Sequence, residues 1–144
     1  MVQAPTTVRL VQCMRDAGWD VTPSWGGGID SAEMDASQQS AWDAAFHECA
    51  ESSGWRKANT YGEWTPEQVE QLYAQEVASH QCMVEHGWSS DEPPSKQTFI
   101  DTFATADQYF AMVPAIDNVS SRSDFEEIQI ACPPPTWFTT IDGF

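Results

Sequence analysis

The chain has 144 residues and a formal net charge of −16, with six lysine and arginine residues against 22 aspartate and glutamate residues. This charge argues against a nucleic-acid partner or an anionic membrane surface, since both would repel it, and a cationic or neutral partner is easier to accommodate. The length suits one domain, 1–144, with a core of its own. Because no apolar run reaches membrane-spanning length, we expect no direct membrane span.

One motif, a cysteine followed by four residues and then Gly-Trp, occurs three times. Its copies are Cys13–Trp19, Cys49–Trp55 and Cys82–Trp88. A glycine in the left-handed conformation ends many helices, and the residue after it commonly packs back onto the last turn. The motif therefore predicts three helices that end at a glycine, each with its tryptophan folded over the turn that carries the cysteine.

The first of these helices is predicted to run from a cap at Thr6 and Thr7 to Ala17, with an apolar face of regularly spaced residues. After it, alternating residues and a run of three glycines predict a short hairpin or extended segment near 19–29. Three further helix starts carry the spacing of a capping box. They are Asp35 with Gln38, Thr65 with Gln68, and Ser123 with Glu126.

Aromatic residues recur at helical spacing between Ser95 and Pro114. We expect Ser95 to cap a helix that carries Phe99, Phe103 and Phe110 and continues to Val113 before Pro114 stops or kinks it. The final helix is expected to end at Cys132, because three prolines follow. The segment 136–144 is short and aromatic and is predicted to pack as a strand.

The four cysteines contain no Cys-x-x-Cys pair, so they fit two disulfides better than a zinc site, and disulfides imply an oxidising compartment. Three pairings exist, and the sequence does not decide among them. We favour Cys13–Cys49 and Cys82–Cys132, because each joins a motif helix to the next cysteine-bearing segment. Each closed loop would stabilise the chain by about 4 kcal/mol.

These elements predict a mainly α fold, with a small α+β arrangement as the alternative. We expect a disulfide-stapled helical domain built from two related halves, 1–60 and 61–144, which share the order motif helix, break, further helix and cysteine. The motif cysteines lie 36 and then 33 residues apart, which is also compatible with a three-repeat helical solenoid. That reading ranks lower, since the sequence between the motifs is not otherwise similar.

The segment Cys13–Val21, which reads Cys-Met-Arg-Asp-Ala-Gly-Trp-Asp-Val, resembles small secreted proteins and lipoproteins of actinobacteria that carry a Cys-Met-x-x-x-Gly-aromatic motif. The similarity extends more loosely through Gly26–Ile29, Cys49, Cys82–Trp88 and Cys132. The resemblance implies a secreted or cell-surface, extracytoplasmic location, with anchoring through a lipidated cysteine upstream of Met1. That group is largely uncharacterised, so no catalytic residue can be carried over from it.

No catalytic, metal or cofactor site is predicted from the titratable residues. The histidines are His47, His80 and His86, and the last two lie six residues apart, which does not place them on one helix face as a metal pair requires. No serine lies in a Gly-x-Ser-x-Gly context, and no Ser/His/Asp set can be nominated. The acidic cluster from Asp30 to Asp35 lacks the pattern of a calcium loop and is interpreted as a solvated helix cap.

Loop aromatics are the candidate binding residues. Seven tryptophans occur, of which three end helices and Trp42 faces a core. The remaining candidates are Trp25, Trp64 and Trp137, with Tyr61 near Trp64. Aromatic rings of this kind stack on sugars or anchor protein partners, or they close the ends of a small core.

The sequence therefore favours an extracytoplasmic, non-enzymatic binding or accessory module that contacts another envelope or secreted protein. A module that binds cell-wall carbohydrate through its loop tryptophans is the alternative. A small secreted hydrolase, whose catalytic residues only the fold would assemble, ranks third.

Overall fold

The structure is a computed structural model that describes residues 3–24, 26–135 and 141–144. It confirms a mainly helical, disulfide-stapled fold with one small antiparallel hairpin. The described residues contain the α-helices α1 (Pro5–Asp16), α2 (Gln39–Ser52), α3 (Trp55–Ala58), α4 (Pro66–Glu85), α5 (Lys96–Thr102), α6 (Val113–Asp117) and α7 (Arg122–Ala131). The strands are β1 (Val21–Pro23) and β2 (Ile29–Ser31), and short 3-10 helices span Ala36–Gln38 and Tyr61–Glu63.

The described chain divides into two compact units. The first unit contains Gln3–Glu63 together with Phe144, and the second contains Trp64–Gly143. Each unit holds one disulfide, Cys13–Cys49 in the first and Cys82–Cys132 in the second, which is the pairing that the sequence favours. That 1–144 form a single domain stays a prediction.

Two of the three motif copies end their helices through the same pair of backbone hydrogen bonds. In the first copy Gly18 N–H donates to the Arg15 carbonyl at 2.9 Å and Trp19 N–H donates to the Met14 carbonyl at 3.0 Å. The third copy repeats both bonds, and its glycine has a φ of 76°. These bonds form the helix-ending motif that the sequence predicts, because the left-handed glycine turns the next amide back onto the last helical turn.

The second copy ends its helix differently. Gly54 has a φ of 81° and its N–H donates to the Glu51 carbonyl, but Trp55 N–H donates to the Ser53 hydroxyl. The hydroxyl donates in turn to the Ala50 carbonyl at 3.3 Å. A side chain therefore replaces one backbone bond, and Trp55 begins α3 instead of only ending α2.

In the first unit, α1, α2 and the hairpin enclose a core that includes Leu10, Met14, Val21 and Cys49. The strands pair antiparallel, with Val21 opposite Ser31. The predicted threonine cap is wrong. Helix α1 begins at Pro5 after Ala4, and both threonines are buried within its first turn. Thr7 instead donates its hydroxyl to the Gly27 carbonyl at 3.0 Å, a partner 20 residues away.

In the second unit, α4 begins as predicted. The Thr65 side chain accepts from Gln68 N–H, and Gln68 Oε1 accepts from Thr65 N–H at 2.8 Å, so each residue satisfies an amide of the other. One buried cluster joins Leu72 of this helix to Phe99 of α5. A second cluster contains Met83, Met112, Ala115, Ile128 and Cys132.

The long aromatic helix predicted up to Val113 is wrong. Helix α5 begins after the Ser95 cap but ends at Thr102, and Ala104 has a φ of 61°, which continues no right-handed helix. The Thr105 hydroxyl donates to the Thr102 carbonyl at 2.5 Å, and the Gln108 side chain accepts from Ala104 N–H at 2.8 Å. These local bonds satisfy the backbone outside a helix, as short polar side chains often do.

The start of the last helix also differs from the prediction. Ser121, and not Ser123, caps α7, and its hydroxyl accepts from Asp124 N–H at 3.1 Å. The helix ends at Ala131 with Cys132 as its C-cap, next to the position that the following prolines predict. Residues 141–144 do not form a strand, and 136–140 lie outside the described residues. No helix in the described ranges is long and apolar enough to cross a membrane.

Candidate functional site

Two of the four predicted binding aromatics, Trp25 and Trp137, lie outside the described residues. Trp64 belongs to the second unit and is half-buried, with its ring tilted against that of Phe103 at a centroid distance of 5.5 Å. Part of the Trp64 ring therefore packs against Phe103. That Trp64 binds a ligand stays a prediction.

Tyr61 lies in the first unit, in the 3-10 helix Tyr61–Glu63. Arg56 ties this short helix to α2, because its guanidinium pairs with both Glu51 and Glu63, the latter at 2.6 Å. Hydrogen bonds from Arg56 hold the pKa of both carboxyls below their usual range. This arrangement fixes the backbone at Tyr61, and that Tyr61 binds a ligand stays a prediction.

A groove in the second unit is the more complete candidate site. It has a volume of about 480 Å³ and lies between the segment after α4, helix α5 and the start of α6. Three exposed acidic side chains line it, namely Asp91, Glu92 and Asp107. Apolar and aromatic surface comes from Pro94, Tyr109, Phe110 and Pro114. None of the described residues that line the groove is a lysine, arginine or histidine.

Two tyrosine hydroxyls hold one wall of this groove in place. Tyr109 donates its hydroxyl to the Asp91 carbonyl at 2.7 Å, and Tyr73 on α4 donates to the Pro94 carbonyl at 2.7 Å. Burial raises the pKa of Tyr109 to about 12, so its hydroxyl keeps the proton that it donates. The extended segment from Asp91 to Pro94 is thereby fixed at both ends without regular secondary structure.

A buried carboxyl group fixes a second part of the groove lining. Glu76 on α4 is 2% exposed, and its Oε2 accepts from Ala111 N–H at 2.8 Å. Burial raises the pKa of Glu76 to about 7, although the hydrogen bond from Ala111 acts in the opposite direction. This contact secures the backbone next to Phe110, which faces the groove.

A serine and a histidine extend the same network. Ser90 donates its hydroxyl to the Ala111 carbonyl at 2.7 Å, and His80 Nδ1 lies 2.9 Å from the Ser90 oxygen. His80 Nε2 lies 3.6 Å from the carboxylate of Glu92. Because the hydroxyl proton is committed to a carbonyl, His80 Nδ1–H donates to Ser90, and Ser90 is not set up as an activated nucleophile.

Sequence reasoning missed this network as a whole. Glu76 and His80 are four residues apart on α4, so their shared face was visible from spacing alone. Their partners Ser90 and Ala111 were not, because no local pattern shows that the loop before α6 returns to this face.

The sulfurs of Cys82 and Cys132 and a ring nitrogen of His86 form a third cluster, with all three atoms within 4.8 Å of one another. Both sulfurs are joined in a disulfide and so offer no thiolate to a metal.

No protein-family model matches the chain, and no curated protein or solved structure matches it significantly.

Proposed function

We propose that this chain is a non-enzymatic binding module of the cell envelope or extracellular space, and that its groove takes a cationic, proline-containing segment of another protein. The observation that carries the proposal is the composition of the groove. Three carboxylates stand at a surface lined with two prolines and two aromatic rings, and two parts of this lining are fixed by hydrogen bonds from α4 or to it.

Charge favours a basic partner. The net charge of the chain is −16, and the residues lining the groove add no positive side chain that would compete for its carboxylates. Carboxylates at about a Debye length or less from a bound lysine or arginine attract it at physiological salt.

The apolar part of the groove favours a particular backbone. Flat aromatic rings next to prolines dock extended, polyproline-like segments, which lose little conformational entropy on binding. The rings of Tyr109 and Phe110 line the groove together with Pro94 and Pro114. A segment that alternates basic residues with proline would satisfy both the charge and the shape.

We also propose that the chain acts outside the cytoplasm. Two disulfides are typical of chains that fold in an oxidising compartment, which supports an extracytoplasmic site of action. The resemblance to secreted proteins and lipoproteins of actinobacteria also supports an extracytoplasmic location. It further suggests lipid anchoring, which needs its own test. Detection of the mature chain in culture medium or membrane fractions, with mass spectrometry of its first residues, tests both points.

The binding test uses a labelled peptide of four Lys-Pro repeats and fluorescence anisotropy. The groove variant is Asp91→Asn/Glu92→Gln/Asp107→Asn. Its matched control is Asp20→Asn/Asp30→Asn/Glu33→Gln, which removes the same residue types and the same charge from exposed positions of the first unit. We expect the groove variant to weaken binding at least about tenfold, since three partly exposed ion pairs contribute roughly 0.5 kcal/mol each.

The control variant should stay within about twofold of the unmodified chain. Equal losses in both variants would mean that the peptide senses only net charge, and the groove assignment would then be wrong. A Ser-Pro peptide that binds as tightly as the Lys-Pro peptide would also contradict the proposal. The carbohydrate alternative stays a prediction, since Trp25 and Trp137 lie outside the described residues; glycan binding lost on Trp25→Ala and Trp137→Ala would establish it instead.

A further inference from the structure

The three motif copies differ at the residue just before the glycine. This residue is Ala17 in the first copy, Ser53 in the second and His86 in the third. Each is the C-cap of its helix. Ala17 and His86 have nearly the same backbone conformation, with φ and ψ of −80° and 0° in one and −87° and −1° in the other. Only the third copy therefore places an imidazole four residues after its cysteine.

This imidazole lies beside a disulfide. His86 Nδ1 is 3.9 Å from Cys82 Sγ and 3.8 Å from Cys132 Sγ. The ring stacks on Trp88 with a centroid distance of 4.9 Å and an interplanar angle of 11°, which holds it in position. Nδ1 is also 2.9 Å from the Cys82 carbonyl, and because a carbonyl only accepts, Nδ1 carries a hydrogen that it can donate.

We propose that Cys82–Cys132 is a thiol–disulfide exchange site in which His86 stabilises the departing thiolate. The two sulfurs are unequal, because Cys82 is half-buried while Cys132 is 2% exposed. Attack by an external thiolate therefore falls on Cys82, and Cys132 is the leaving group. The co-reactant is a dithiol, either a small molecule or a thioredoxin-like protein.

The electrons and protons balance in two steps. The thiolate of the dithiol bonds to Cys82 Sγ, the bond between Cys82 and Cys132 breaks, and its electron pair leaves on Cys132 Sγ. His86 Nδ1–H turns from the Cys82 carbonyl to this new thiolate. The second thiol of the dithiol then loses its proton to solvent, attacks the mixed disulfide and releases Cys82 as a thiolate. Both protein thiolates take up a proton from solvent, so the dithiol gives up two electrons and two protons and the protein disulfide gains the same number.

The first disulfide is a natural comparison. Cys13–Cys49 also joins a half-buried sulfur to a buried one, with Cys49 3% exposed, and its Cα atoms are 5.6 Å apart against 5.9 Å in the second disulfide. The hydroxyl of Ser52 lies 3.8 Å from Cys13 Sγ. In this disulfide a serine hydroxyl lies near one sulfur, whereas in Cys82–Cys132 a stacked imidazole lies near both sulfurs. We therefore expect Cys13–Cys49 to exchange more slowly.

The experiment reduces the folded full-length chain with dithiothreitol, quenches with N-ethylmaleimide and quantifies the two bridges by mass spectrometry of their peptides. We expect Cys82–Cys132 to open at least about tenfold faster than Cys13–Cys49, in proportion to dithiothreitol concentration. His86→Phe keeps a flat ring for Trp88 but removes the N–H donor. It should slow only the Cys82–Cys132 reaction by about tenfold, the effect of one hydrogen bond to a developing charge.

A second variant tests whether the position is sufficient. Ala17→His places an imidazole four residues after Cys13 at an exposed site with the backbone conformation of His86, and it should accelerate reduction of Cys13–Cys49. The proposal is overturned if His86→Phe leaves the ratio of the two rates within about twofold of the original. It is also overturned if the rates become independent of dithiothreitol concentration, because opening of the fold would then limit both reactions.

Discussion

Glu76 is a buried titratable residue whose hydrogen-bond partner, Ala111, follows the groove residue Phe110 in the chain. Its carboxyl group is nearly excluded from solvent and has one described partner, the amide of Ala111. A neutral carboxyl loses less by burial than a carboxylate does, so folding favours the protonated form. At neutral pH this residue therefore stands near the midpoint of its titration, beneath the wall of the groove.

The Glu76 pKa predicts a pH dependence of stability. Because folding raises this pKa from 4.5 to about 7, the folded chain binds more protons than the unfolded chain between these values. The contribution of Glu76 is fully present below pH 4.5 and is lost as the pH rises to about 7, by up to about 3 kcal/mol.

The variant Glu76→Gln isolates this effect, because glutamine still accepts from Ala111 but does not titrate. The difference in unfolding free energy between variant and original should shift in favour of the variant by about 3 kcal/mol from pH 4.5 to pH 7 and then stay constant. Urea unfolding at several pH values measures it. Parallel pH profiles for the two proteins would show that the buried carboxyl does not titrate in this range.

At the scale of elements, the sequence specifies those helix ends whose hydrogen bonds are local. The Thr65–Gln68 box and the Gly-Trp stops were predictable because their hydrogen bonds join residues within one turn. The Thr6–Thr7 cap failed since Thr7 binds a carbonyl on the hairpin. Long-range partners of this kind leave no trace in local spacing.

The aromatic segment after Ser95 failed for a different reason. Its apolar spacing fits a helix, but hydroxyl and amide side chains from Thr102 to Gln108 bind nearby backbone groups and end α5 early. The break brings Tyr109 and Phe110 to the groove instead of extending a helix. Periodicity therefore identified a run of regularly spaced aromatic residues but could not reveal the groove that Tyr109 and Phe110 line.

Alanine substitution of the three motif glycines should destabilise the chain by different amounts. At Gly18 and Gly87 an added Cβ meets nothing within 4 Å, so alanine should cost only the left-handed backbone, about 1 kcal/mol each. At Gly54 the same Cβ would stand 2.7 Å from the backbone carbon of Phe144, so Gly54→Ala should cost at least about 1 kcal/mol more. Chemical unfolding of the three variants gives the order, and an equal cost at all three positions would contradict it.

At the scale of the whole molecule, each of the two disulfides stabilises a different compact unit. The cysteine pairing could be favoured from the order of the motifs, but the structure was needed to show which cysteine of each pair is less buried and which histidine lies beside a disulfide. Both bridges span long loops, 36 and 50 residues, so both restrict the unfolded chain strongly.

Removing either bridge should therefore cost about 4 kcal/mol, by replacement of both cysteines with serine. Because each bridge lies within one unit, hydrogen exchange should accelerate mainly in that unit. Cys13→Ser/Cys49→Ser should expose the amides of α1 and α2 first, and Cys82→Ser/Cys132→Ser those of α4 and α7. Exchange that rises uniformly over the chain in both variants would show that the two units unfold together.

The central claim is that the groove between the segment after α4, helix α5 and the start of α6 is where a basic, proline-containing partner binds. The most direct measurement is a titration of the isotope-labelled full chain with the Lys-Pro peptide, followed by amide chemical shifts in heteronuclear NMR spectra. We predict saturable shifts concentrated in residues 91–114, which disappear in the triple groove variant. Shifts spread over the acidic surface of the first unit, or none between 91 and 114, would contradict the account.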